Sequence, residues 1–211
     1  DTPGFIGNRI GIYWLLYGLL DAIEHGITVE QADDIMPNFG IPKTGIFGLL
    51  DLVGLDLIPP ILNGMNLALP PQDAFHEVNR LPEIVQKMIA DGYTGRKGKG
   101  GFYRLNKVEG TRNKESINLV SGEYSKSEKA DLSTLKDAQK SGLQALLANP
   151  DPVTQYAWRV LSHTLCYAAS LIPEISDDIT GMDAAMRDGY NWKVGPFELL
   201  DQIGVTWFVN K

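Results

Sequence analysis

Only one cysteine, Cys166, occurs in the 211 residues. With no internal partner it excludes the small disulfide-stapled folds of secreted chains and favours a reducing setting, the cytoplasm. Long hydrophobic runs are missing too. The longest uncharged apolar stretch that reads as helix, Ile10 to Leu20, has 11 residues, against the about 20 a membrane span needs. The Pro-rich stretch from Leu57 to Gln72 supplies no substitute, so no membrane span is expected and the chain reads as soluble. Nor is there an excess of positive charge. The 19 Lys+Arg against 26 Asp+Glu leave a net charge of −7, which argues against nucleic acid as the main partner. Hydrophobic residues at 44% and charged residues at 21% exclude a disordered tail or a fibre. The chain opens on Asp1-Thr2-Pro3 without Met or a signal pattern, and is expected to be a piece of something longer.

What is present is unevenly spread. Residues 95–150 hold 11 Lys+Arg against 6 Asp+Glu, a net +5, leaving −12 elsewhere. Two readings fit: a solvated linker face, or local attraction for a phosphorylated ligand. The sequence also repeats. Sliding it by 150 residues aligns 6–54 with 156–204 without a gap, and thirteen of 49 positions match, among them Arg9/Arg159, Tyr17/Tyr167, Asp33/Asp183 and Asp51/Asp201. Chance would give roughly three. One unit is therefore present twice, and the second copy is expected to be truncated.

Each copy reads as helices. From Phe5 to His25 apolar residues recur at three- and four-residue steps, with Gly26 as the stop. Thr28-Val29-Glu30-Gln31 has the form of a capping box. A third helical run begins near Gly45 and is expected to break or bend at Pro59-Pro60. Pro82 to Asp91 is a further helix. Four glycines between Gly95 and Gly101 predict a turn that leads into a short extended piece. Residues 105–132 are polar, with a weak hairpin at Ile117 to Tyr124. Ser133 to Ala148 reads as one helix, and Asn149-Pro150-Asp151-Pro152 as a hinge. The expected architecture is all-α: a helical domain at 1–104, a polar connector with one helix at 105–150, and the second copy at 151–211.

Chemistry is harder to find. The glycine cluster lacks G-x-G-x-x-G and the P-loop pattern and follows a helix rather than a strand, so a structural turn fits better than a nucleotide loop. His25, His76 and His163 are scattered, with no metal-ligand spacing. His163 and Cys166 lie three apart on an apolar helix and read as packing residues. No metal or cofactor site is visible, and the residues alone describe a helical module without a complete catalytic set.

Several segments resemble one family. Pro3-Gly4-Phe5-Ile6-Gly7-Asn8-Arg9 is similar to the opening of the C-terminal helical domain of 3-hydroxyacyl-CoA dehydrogenases. Gly45-Ile46-Phe47-Gly48-Leu49-Leu50-Asp51-Leu52-Val53-Gly54-Leu55-Asp56 resembles its G-P-F-x-L-x-D-x-x-G-L-D run, which Gly195-Pro196-Phe197-Glu198-Leu199-Leu200-Asp201 fits better. Gly98-Lys99-Gly100-Gly101-Phe102-Tyr103 resembles its G-x-G-F-Y end motif. The resemblance covers residues 3–104 and about 156–205. It implies two tandem copies of this helical domain, of the 6-phosphogluconate dehydrogenase C-terminal type, packed as a pseudo-dimer. It also implies an upstream Rossmann domain that binds NAD and holds the catalytic His and Glu, together with a hydratase domain or a thiolase subunit as companion.

By the same resemblance Asn8 is the catalytic amide that holds the substrate oxygen near that His. Lys43, Thr44 and Ile46, where the family has Pro at position 46, would line the acyl pocket of a 3-hydroxyacyl-CoA substrate. The repeat partner of Asn8 is Trp158, which offers no carbonyl and one donor, so the second copy is expected to be structural. The implied activity is oxidation of (3S)-3-hydroxyacyl-CoA with NAD in fatty-acid β-oxidation, with the fragment inactive alone. A non-catalytic helical module that docks β-oxidation partners, and a dehydrogenase of shorter free hydroxy acids, are the alternatives.

Overall fold

The computed structural model describes residues 2–108 and 111–211. Asp1 of the expected first domain, and Glu109 and Gly110 of the expected connector, lie outside the described residues. The first helix, α1 (Phe5–His25), is the axis of the molecule. Arg9, Ile10, Tyr13, Trp14, Leu15, Leu16, Leu19 and Ala22 are all buried on it, more faces than a surface helix would hide. Its glycines let neighbours approach closely: a Cβ on Gly11 would collide with the Tyr190 ring, and one on Gly18 with Ile46.

After α1 the chain forms α2 (Val29–Ile35), whose Thr28 capping box is complete, with Gln31 N–H to Thr28 Oγ1 at 3.2 Å and Thr28 N–H to Gln31 Oε1 at 3.0 Å. Then follow α3 (Phe47–Val53), α4 (Ile58–Ala68), α5 (Phe75–Val78) and α6 (Glu83–Ala90). The bend expected at Pro59-Pro60 lies earlier. The two prolines sit in the first turn of α4, where a missing N–H costs nothing, and the 77° bend falls at Gly54. No single helix among the described residues is long and apolar enough to cross a membrane.

The all-α expectation needs correction. An antiparallel sheet of β1 (Tyr103–Val108), β2 (Thr111–Ile117) and β3 (Tyr124–Lys126), in that order, follows the glycine turn. The expected hairpin is the β2–β3 corner, where Ile117 pairs with Tyr124. The longer β1–β2 ladder was hidden by its polar composition. Its support is cross-strand: Arg104 lies opposite Glu115, their side chains pair at 2.6 Å, and the guanidinium sits 3.9 Å from the Tyr124 ring centroid. The helix expected over Ser133–Ala148 is likewise divided, into α7 (Lys136–Lys140) and α8 (Leu143–Ala148). Gly142 at φ 102° separates them, a conformation no helix continues through.

The rest of the chain is α9 (Pro152–Ser170), α10 (Ile179–Tyr190), α11 (Pro196–Ile203) and α12 (Val205–Asn210). Helix α9 lies along α1, and its contacts recur with the offset of the repeat. Tyr13 stacks on Tyr167 with centroids 4.1 Å apart, and Tyr17 stacks on His163 at 4.2 Å; adding 150 to Tyr13 and to Tyr17 gives His163 and Tyr167. The two matched arginines both cross this seam. Fully buried Arg9 pairs with Asp73 and donates to the Tyr167 hydroxyl at 3.2 Å. Arg159 grips Asp21 with two bonds, at 2.8 and 2.9 Å.

Candidate functional site

Two places on this frame hold the residues singled out by sequence, and they are separate. Asn8 lies in the first turns of α1, with its side chain exposed. The Tyr190 hydroxyl, on α10, donates to Asn8 Oδ1 at 3.4 Å, and the Tyr190 ring reaches this position because Gly11 leaves room for it. Among the described residues the Asn8 amide nitrogen has no partner, so its two N–H groups face outward as donors. At the repeat-equivalent position Trp158 is half-buried and packs edge-on against Trp207 and Phe208, at 5.6 and 5.2 Å. The second copy covers with α12 what the first leaves open.

The other place is built on two buried carboxylates. Asp33 of α2 accepts the N–H groups of Ile46, Phe47 and Gly48 at 2.7, 2.8 and 3.0 Å, and the Tyr103 hydroxyl at 2.9 Å. Gly45 lies so close to Asp33 that a side chain there would overlap it, which explains the glycine. The second copy uses the same device, with Asp183 accepting the Phe197 N–H at 2.8 Å and Gly195 pressed against Asp183. One turn on from the start of α3, Asp51 accepts the N–H groups of Phe102 and Tyr103 at 2.7 and 2.8 Å, fastening the glycine turn to the helix. Burial pushes the Asp33 carboxyl up to about 7 against its four donors, and that of Asp51 up to about 6. The same burial, with Asp33 beside it, holds the Tyr103 phenol protonated.

A cavity of about 650 Å³ opens between the α2–α3 loop, the glycine turn and the sheet, within the size range of small-molecule sites. Lys43 and Thr44 line it, together with Arg96, Lys99 and Lys114. Ile46 does not: it is fully buried beneath the loop, seated on Gly18 of α1. Gly18 is ten residues beyond Asn8, about 15 Å along the helix, so the structure does not bring Asn8 together with Lys43, Thr44 or Ile46.

The histidines are occupied locally. His25 bonds the Asp21 carbonyl at 3.0 Å, His76 that of Pro70 at 3.0 Å and His163 that of Arg159 at 2.9 Å. Burial raises the Cys166 thiol, the opposite of what a nucleophile needs. Among the described residues no three His, Cys, Asp or Glu side chains are grouped to hold a metal. The glycine turn is not built as a Rossmann phosphate loop, because the sheet beside it is antiparallel and the turn is fastened to Asp51.

The sequence singled out Asn8, Lys43, Thr44 and Ile46 but not Tyr190, the neighbour of Asn8, whose repeat partner is Gly40, so self-comparison carried no signal. Asp33 and Asp51 were visible as matched positions of the repeat, but their buried anchoring role was not.

A family model described as "3-hydroxyacyl-CoA dehydrogenase, C-terminal domain" matches residues 4–105 and again 156–210. A Rickettsia felis protein, named for the trifunctional enzyme of a fatty acid oxidation complex, is 40% identical over 201 residues, 95% of this chain and 27% of its own length. A Bacillus subtilis relative, named as a 3-hydroxyacyl-CoA dehydrogenase, is 37% identical over 216 aligned residues, covering 100% of this chain and 27% of its own length. Human mitochondrial hydroxyacyl-coenzyme A dehydrogenase is 32% identical over 105 residues, 49% of this chain and 32% of its own. The chain thus spans about a quarter of the length of the first two curated relatives. With both halves of the repeat matched by the one family model, the chain belongs to the family of 3-hydroxyacyl-CoA dehydrogenase C-terminal domains.

Proposed function

We propose that this chain is the helical part of an NAD-dependent (3S)-3-hydroxyacyl-CoA dehydrogenase of fatty-acid β-oxidation, and that these 211 residues do not turn over by themselves. The observation that carries the reading is the exposed amide of Asn8, its oxygen engaged by Tyr190 and its N–H groups free among the described residues. Such a neutral donor holds a substrate oxygen as charge develops on it, without titrating, and is worth roughly 3–4 kcal/mol in comparable sites. In this reading Lys43 and Thr44 belong to the substrate side, and Ile46 supports their loop from beneath.

In this reading NAD is not held by these residues. The reading assigns it, and the hydride chemistry it supplies, to a Rossmann domain outside them. The second repeat takes the place that a partner subunit would hold against α1. Reciprocal stacking of Tyr13 on Tyr167 and Tyr17 on His163 supports this pseudo-dimer, as does the covered position at Trp158. A hydratase domain or a thiolase subunit as companion draws support from the trifunctional name of the Rickettsia felis relative. The single exposed thiol, Cys166, supports the reducing cytoplasm as its setting.

The test is acetoacetyl-CoA-dependent oxidation of NADH by the parent protein that carries this chain. Asn8→Ala is expected to lower turnover about 10²- to 10³-fold with an unchanged circular dichroism spectrum. Full activity in that variant would overturn the reading.

A further inference from the structure

The cavity beside Asp33 and Asp51 carries a charge that the rest of the molecule does not. The chain is net −7, yet Lys43, Arg96, Lys99, Arg104 and Lys114 all line this one cleft. Three carboxylates line it too; each has oxygens engaged by the protein itself, and five cations against three carboxylates leave the lining net positive. Asp33 and Asp51 are spent on backbone N–H groups and Tyr103, as described above, and Asp34 accepts the Ala130 N–H at 2.8 Å. Of the five cations Arg104 is ion-paired, with Glu115. Lys43, Arg96, Lys99 and Lys114 form no salt bridge among the described residues. Lys99 donates to the Asp91 carbonyl at 2.8 Å, which leaves its ammonium two further donors. The Lys114 ammonium lies 3.9 Å from the centroid of the Tyr103 ring, on the wall of the same cleft.

Four cations without a salt bridge among the described residues, in a lining that carries more positive than negative groups, repel one another, and an anionic occupant relieves that repulsion. They come from three separate segments: the loop before α3, the glycine turn and β2. Several cations on one cleft suit a group with several charged oxygens, and the Arg96 guanidinium can fork onto two of them. We propose that this cleft binds the phosphate groups of a phosphate-bearing small molecule. The inference requires only the anion and stands whether or not the dehydrogenase reading holds. A CoA ester and a free diphosphate compound share the recognised chemistry.

Calorimetric titration of the 211-residue chain with pyrophosphate and with CoA tests it. Pyrophosphate is expected to bind, more weakly as salt is added. Arg96→Ala and Lys114→Ala should each weaken it about tenfold. Lys126→Ala, removing an exposed lysine outside the cleft, should leave it unchanged. CoA binding about tenfold tighter than pyrophosphate would identify a CoA ester as the source, and equal binding a free diphosphate compound. Arg96 and Lys114 are exposed, so folding is not at stake, and the unaltered chain is an independent arm. No binding of either probe at about 1 mM, or binding that survives Arg96→Ala with Lys114→Ala, overturns the proposal. So does an equal loss on Lys126→Ala.

Discussion

The hydroxyl of Tyr190 donates to Oδ1 of Asn8 across 3.4 Å, joining residues 182 positions apart in sequence. The second repeat thereby touches the exposed amide that the first repeat presents at the start of α1. A contact of that length orients rather than clamps. Tyr190→Phe is expected to keep the ring on Gly11 and lose the bond, lowering turnover of the parent protein by about two- to tenfold, far less than Asn8→Ala. Steady-state rates for the two variants check the ranking, and a larger loss for Tyr190→Phe would contradict it.

Asp33 and Asp183 perform the same task at unequal strength. Asp33 receives three backbone N–H groups and a phenol, whereas Asp183 is anchored by the backbone N–H groups of Phe197 and Glu198. Asparagine at position 33 would turn an N–H toward donors that need an acceptor. Asp33→Asn should cost about 1.5–3 kcal/mol and Asp183→Asn about 1 kcal/mol. Urea unfolding midpoints measure both, and the reverse order would show that the bonds do not set the stability.

Arg9 and Arg159 match in the repeat and differ in burial. The Arg9 side chain is 0% exposed and that of its partner Asp73 2%, against 27% for Arg159 facing Asp21 at 5%. Removing one member of a fully buried pair leaves the other charge stranded. Arg9→Ala should therefore destabilise by about 3–5 kcal/mol, and Arg159→Ala by about 1 kcal/mol. Similar thermal midpoints for the two variants would refute the burial argument.

Trp158 stands where a second asparagine would be. It packs under Trp207 and Phe208, so Trp158→Asn is expected to cost about 1–3 kcal/mol without adding activity. A gain in turnover from this variant would mean that the second copy retains a usable site.

Asp178 caps α10, the helix that carries Tyr190. The Thr180 hydroxyl and the Gly181 N–H donate to it at 2.7 and 2.9 Å and hold its carboxyl below the usual range. Because the folded value is the lower one, its contribution is present above the unfolded value of about 4 and lost as pH falls through the folded one. Asp178→Ala should lower the melting temperature at neutral pH, and the difference from the unaltered chain should shrink as pH falls below about 4. A difference that persists undiminished there would assign the effect to something other than this charge.

Much of the frame can be read from residue order alone, because helices and caps are local. Phe5–His25 follows from its apolar spacing, the Thr28 box from four consecutive residues, and the duplication from identities 150 positions apart. The extended piece after the glycine turn and the Ile117–Tyr124 hairpin were legible, but the longer β1–β2 ladder was not, since it is held by pairs such as Arg104 with Glu115 that mean nothing until the strands lie side by side. Nor could sequence distinguish Lys43 and Thr44, which line a cavity, from Ile46, which is buried two residues further on. That separation is decided by Gly18 on a helix far back in the chain. Composition showed that positive charge concentrates in residues 95–150. Only the fold brings Arg96, Lys99 and Lys114 to Lys43 around one space, because it fastens the glycine turn to Asp51 and the preceding loop to Asp33. Local propensity wrote the helices, and long-range burial of two carboxylates placed the surfaces on which the chain can act.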